Sequence, residues 1–119
     1  MWADEGPLKV VVHVNVSETG TQGAGLKNVT NILKDAPDTL VEVVCHGAGI
    51  GLVEKSRTDH AEAVEALIKK GVRFVARENT MRSKSIKKED LLPDVGTVPS
   101  GAVEVVRKQR KEGYAYFKP

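Results

Sequence analysis

Residues 40–51 read Leu40-Val41-Glu42-Val43-Val44-Cys45-His46-Gly47-Ala48-Gly49-Ile50-Gly51. The run up to Cys45 has the β-branched, apolar character of a strand, and the glycines behind it mark the turn that ends it. Upstream of this strand, Ala24, Leu26, Val29, Ile32, Leu33 and Ala36 follow near-helical spacing until Pro37 stops them, which predicts a helix over 23–36. Before that helix come a turn-rich loop, Ser17 to Gly23, and a first strand over 8–14 (LKVVVHV).

Downstream the alternation continues. Thr58-Asp59 opens a helix with Asp59 and Glu62 spaced as a capping box; Ala61, Val64, Leu67 and Ile68 face inward, Glu65 and Lys69 pair outside, and Gly71 ends it. Residues 72–76 form a third strand, Arg77 to Ser85 a short helix, Lys87 to Pro93 a turn and 95–98 a short fourth strand. Pro99-Ser100-Gly101 opens a last helix with a predicted inner stripe of Ala102, Val105, Val106 and Gln109, and Tyr114 to Phe117 is a last strand. The order β-α-β-α-β-α-β-α-β predicts a three-layer α/β sandwich around a mostly parallel sheet with right-handed crossovers.

At 119 residues the chain makes one domain, 1–119, with a core of its own and no need of a disulfide or metal staple. Hydrophobic residues at 40% and charged residues at 29% exclude a disordered chain. No apolar run reaches the length of a membrane helix, and the acidic start Met1 to Pro7 lacks the basic region of a signal peptide. A cytoplasmic protein without membrane contact is the expectation. Net charge is only +2, yet residues 1–68 carry 5 basic and 10 acidic side chains while residues 69–119 carry 13 and 6, a polarity suited to an anion or a sister subunit.

In a parallel sheet, ligands sit beyond the carboxyl ends of the strands. The residues placed there are Asn15 and Ser17, Cys45 and His46, Arg77 to Asn79, and Pro99 with Ser100. Cys45 is the one thiol, and a thiolate is the chain's only strong soft nucleophile; strand alternation aims Cys45 and His46 to opposite sides. Asn15, His46, Arg77, Asn79 and Ser100 are the candidate ligand-binding residues. The segment Gly47 to Gly51 lacks both known phosphate-loop endings, and His13, His46 and His60 lack metal-ligand spacing, so neither a cofactor nor a metal is expected. The basic tract Lys69 to Lys88 holds Phe74 as its one aromatic, which argues against nucleic acid as partner.

At Arg77-Glu78-Asn79-Thr80-Met81-Arg82, Lys88-Glu89-Asp90-Leu91-Leu92-Pro93 and Val98-Pro99-Ser100-Gly101 the sequence resembles the DsrE/DsrF-like family, in particular its small stand-alone members. Val43-Val44-Cys45-His46-Gly47 and Gly113-Tyr114-Ala115-Tyr116 are similar to that group as well. The resemblance implies a flavodoxin-like, layered α/β fold with a five-stranded, mainly parallel sheet, and assembly into trimeric or hexameric homo-oligomers. It also implies an intracellular sulfur relay, in which a cysteine carries sulfane sulfur as a persulfide between donor and acceptor proteins. In the relay proteins that cysteine follows the third strand, and the resemblance implies that close relatives of this chain often read Cys-Glu-Asn-Thr there. Here Arg77 takes the position, and Cys45 is no residue-by-residue equivalent.

Two functions follow as expectations. In the first, Cys45 accepts sulfur from a small sulfur species held in a strand-end pocket by Asn15, Arg77 and Asn79. In the second, the protein is a non-catalytic, oligomeric module that binds a small molecule or anion through Arg77 and neighbouring amides. A third reading keeps assembly alone.

Overall fold

The computed structural model describes residues 7–119; the acidic start over 1–6 lies outside the described residues. Five strands, β1 Lys9–Val14, β2 Leu40–Cys45, β3 Arg73–Arg77, β4 Gly96–Val98 and β5 Ala115–Phe117, alternate with helices α1 Thr19–Asp35, α2 Ala61–Lys69, α3 Glu78–Ser83 and α4 Gly101–Lys111. Two 3-10 segments, Gly47–Val53 and Lys88–Asp90, complete the path. The sheet order is β4-β3-β2-β1-β5 and every pairing is parallel.

That order decides which face each helix covers. From β1 to β4 the chain steps one strand at a time in one direction, so right-handed crossovers put α1, α2 and α3 on the same face. From β4 to β5 it steps back past three strands, and α4 therefore crosses the opposite face, against β1 and β2. Side chains alternate accordingly. Val12, Val14, Val41, Val43, Cys45, Phe74 and Ala76 point into the larger core beneath α1 and α2, with Ile50, Leu52 and Val53 of the first 3-10 segment. Val11, Val44, Val75 and Val98 point the other way and meet Val105 of α4.

Three local expectations differ from the structure. Helix α1 starts at Thr19, four residues earlier than 23, because tertiary docking overrides the low helix propensity of its glycines: a Cβ at Gly23 would lie 3.0 Å from the His60 ring. His60 hydrogen-bonds the hydroxyl and the carbonyl of Thr19 at 3.0 and 2.9 Å. This tie makes His60, not Asp59, the residue before α2, and the Asp59–Glu62 capping box does not form.

The third difference is the buried stripe of α4. It is Gly101, Glu104, Val105 and Lys108, while Val106 is 54% exposed. The physical reason is Glu42. This carboxyl sits on the central strand facing α4, only 1% exposed, and needs polar company. Arg73 Nε lies 3.4 Å and Lys108 Nζ 3.7 Å from its Oε1, and Lys108 also reaches Glu112 at 3.1 Å. Burial and the adjoining Glu104 carboxyl push Glu42 up to about 8, against the pull of Lys108 and Arg73. Unfolded, Glu42 ionises near 4.5; folded, it holds its proton to about 8. The folded state binds more protons in that window, so this group's contribution to stability falls as pH rises across it. Glu42→Gln should flatten that slope and raise stability at pH 8 by about 1–2 kcal/mol in urea titrations. An unchanged slope would show that another group sets it.

Candidate functional site

The carboxyl ends of β1, β2 and β3 carry their next outward residues to the α4 face. Cys45 and Ala76 are register partners, so His46 and Arg77, each one residue further, stand side by side on adjacent strands. His13 sits on β1 two residues after Val11, hence on the same face, and its Nε2 lies 2.6 Å from His46 Nδ1. Val11 pairs with Tyr116 of β5, which brings the Tyr116 hydroxyl to 2.9 Å from His13 Nδ1. A row of four side chains, Arg77, His46, His13 and Tyr116, thus runs across β3, β2, β1 and β5.

The N-terminus of α4 adjoins this row. Ser100 caps the helix, its Oγ accepting from the Val103 N–H at 3.4 Å. At the next position, a Cβ on Gly101 would stand 3.1 Å from His46 Nδ1, so a glycine is what lets the helix end approach the imidazole. Thr80 accepts from the Gly47 N–H at 3.0 Å and Thr97 donates to Glu78 at 2.8 Å, which fastens the start of α3 to both neighbouring strand ends.

Burial and then the neighbouring imidazole of His46 and the Lys118 ammonium lower His13 to about 4. Burial and then the Arg77 guanidinium lower His46. Both imidazoles are therefore neutral near pH 7 and serve as one donor and one acceptor each. Arg77 carries the fixed positive charge of the row, and its buried Nε has no hydrogen-bond partner among the described residues.

Of the residues picked out in the sequence, His46, Arg77 and Ser100 come together here. Asn79 does not join them: it is exposed on the first turn of α3 and its Oδ1 accepts from Arg82. Asn15 lines, with His13, Lys118 and Pro119, a cavity of about 10 Å³, room for a single water, and its Oδ1 has no partner among the described residues. Cys45, the expected strand-end nucleophile, stands apart from this row. Alternation turns its side chain into the core under α1 and α2, away from His46 and Arg77, where it is 0% exposed. Burial pushes the thiol up to about 12, so almost none is thiolate near pH 7.

His13 and Tyr116 extend the row beyond the residues that the strand-end rule selects. His13 carried a signal, since its two-residue spacing from Val11 sets its face; Tyr116 carried none, because its place depends on β5 lying beside β1.

A roomier cleft of about 670 Å³ opens elsewhere, lined by Ser17, Thr19, Glu54, Arg57, Asp59 and Lys84 among others. It contains none of the row's residues. Its two cations face two carboxylates, and Arg57 is already 3.5 Å from Glu54, so it offers an anion no excess charge. Among the described residues no three His, Cys, Asp or Glu side chains are grouped to hold a metal ion.

Comparison with known proteins places this chain in a group. The sequence pattern of the DsrE/DsrF-like family matches residues 9–119, nearly the whole chain. The chain belongs to the DsrE/DsrF-like family. Among solved structures, this DsrE/DsrF-like protein is similar to a protein of unknown function from Methanobacterium thermoautotrophicum, with 32% identity and a TM-score of 0.89 over 94% of this chain and 99% of that one. It is also similar to the ychN protein from E. coli, with a TM-score of 0.79 over 94% and 99% of the two chains. At 11% identity the latter likeness is one of fold. No curated protein matches in sequence. The five-stranded, layered α/β fold expected of the family is thus the fold of this member. No helix among its described residues is long and apolar enough to cross a membrane.

Proposed function

We propose that this DsrE/DsrF-like protein binds a small anion at the strand ends on the α4 face, through Arg77, His46 and the N-terminal turn of α4. The observation that carries this reading is the buried, unpartnered Nε of Arg77 beside a neutral imidazole. A buried guanidinium donor without an acceptor costs free energy that an oxyanion would recover through charge-assisted hydrogen bonds. A small sulfur oxyanion such as thiosulfate suits both this site and the sulfur-relay association of the family. Binding without covalent transfer is favoured over persulfide chemistry, because Cys45 lies on the other face of the sheet at 0% exposure.

Calorimetric titration with thiosulfate tests the proposal. Arg77→Gln should weaken binding by roughly ten- to a hundredfold, the worth of a charged hydrogen bond, whereas Cys45→Ala should leave affinity within about twofold. Equal affinity in wild type and Arg77→Gln sinks the anion site. A persulfide on Cys45 by intact mass after polysulfide treatment, absent from an Arg77→Gln control, would return the reading to sulfur transfer.

Homo-oligomeric assembly is a companion proposal. It is supported by the outer face of α4, where Val103 and Val106 are more than half exposed between Arg107, Arg110 and Lys111. Sedimentation velocity showing a monomer at micromolar concentration would count against it.

A further inference from the structure

We propose that His46, His13 and Tyr116 form a neutral proton relay that makes Nε2 of His46 the acid–base group of this site, with a proton-exchanging small anion as substrate class. The inference rests on the anion reading above and adds an activity to it, general acid–base catalysis. Its basis is the continuity of the contacts: Tyr116 Oη to His13 Nδ1 at 2.9 Å, then His13 Nε2 to His46 Nδ1 at 2.6 Å. Both nitrogens of His13 and one of His46 are engaged, leaving His46 Nε2 as the free end of this chain of contacts. At the other end Tyr116 is 42% exposed and opens to water.

Only two neutral arrangements satisfy these contacts. In one, the Tyr116 hydroxyl donates to His13 Nδ1, His13 Nε2–H donates to His46 Nδ1, and His46 Nε2 carries a proton. In the other, His46 Nδ1–H donates to His13 Nε2, His13 Nδ1–H donates to the Tyr116 oxygen, and His46 Nε2 is a bare lone pair. The two rings must therefore share one tautomer.

Passing between these arrangements moves a proton from substrate to solvent without a lasting charge in the row. The substrate's proton goes to His46 Nε2; the Nδ1 proton of His46 passes to His13 Nε2; the Nδ1 proton of His13 passes to the Tyr116 oxygen. The original hydroxyl proton of Tyr116 goes to water. Each group ends neutral, and the substrate keeps the electron pair of the bond it lost. The reverse sequence delivers a proton. A relay of this kind suits a site where Arg77 stands beside His46, because a single imidazole there would have to become a cation next to a cation. In this arrangement His46 is the catalytic residue, and His13 and Tyr116 act through it.

Nitrogen-15 NMR of the full-length protein, with inorganic phosphate as the anion probe, tests the relay. His13 and His46 should show the same tautomer near pH 7, and phosphate, whose oxygens accept hydrogen bonds, should raise the Nε2–H population of both rings together. Tyr116→Phe, a change at an exposed position, should slow tautomer interchange at least tenfold by relaxation dispersion while the fold persists. Opposite tautomers, a charged imidazolium on His13, or interchange unaffected by Tyr116→Phe would overturn the relay. Phosphate that shifts the Arg77 Nε and His46 signals but leaves His13 unmoved overturns the relay and keeps the anion site. Coupled tautomers with no phosphate response at Arg77 keep the relay and remove the anion site.

Discussion

Gly49→Ala is expected to destabilise the protein by about 3 kcal/mol, at the upper end of overpacking effects, and to expose the one cysteine. A Cβ at Gly49 would collide with the carbonyl oxygen of Val14, the last residue of β1, which the His46 N–H holds in place at 3.1 Å. Relief requires the 3-10 segment Gly47–Val53 to lift away, taking Ile50, Leu52 and Val53 out of the core they share with Cys45. Urea unfolding measures the first effect; the rate of thiol labelling under native conditions measures the second. Wild-type stability would mean that the strand end can yield after all. Lost stability with unchanged labelling would mean that Cys45 is protected by other elements. The glycines after β2 thereby acquire a packing role: they let a helical segment lie across the end of β1, and Gly47 supplies the left-handed turn at φ 54° that starts it.

Phe74→Ala is expected to cost about 4 kcal/mol. Phe74 heads the fully buried side chains, sits at 0% exposure on β3 and fills the core beneath α1 and α2, where no polar group or solvent could take its volume. The loss should appear as a shift of the urea midpoint with little change in slope. Because Phe74 and the Arg77 row lie on opposite faces of the sheet, thiosulfate affinity of the folded fraction should change little. A loss below about 1 kcal/mol would mean that the core collapses around the cavity.

Strands and helices were legible in the sequence because their patterns are local: β2 ends at Cys45 and α4 opens at Pro99-Ser100-Gly101, as expected. The errors came where a distant partner decides. Ala102, Val105, Val106 and Gln109 were read as the inner stripe of α4 on the rule that apolar residues go inside. The rule failed because Glu42, on another element, draws Glu104 and Lys108 inward. Glu42 is the one acidic residue in an apolar strand, and its partners depend on α4 crossing that face. The candidate site divides in the same way. His46 and Arg77 follow from the strand-end rule, and the burial of Cys45 from alternation plus the helices above it. Tyr116 beside His13 depends on β5 adding to β1, a step no local pattern encodes.

The position of β5 also sets an order of events during folding. Tyr116 lies 103 residues beyond His13, and its strand pairs with β1 over three residues. Before β5 docks, β1 to β4 can pair through shorter crossovers, with Arg77, His46 and His13 at their ends and the final hydroxyl absent. Closing so long a loop for so few ladder bonds is a late, entropically costly step. The folding chain can thus pair four strands before its row of four is complete.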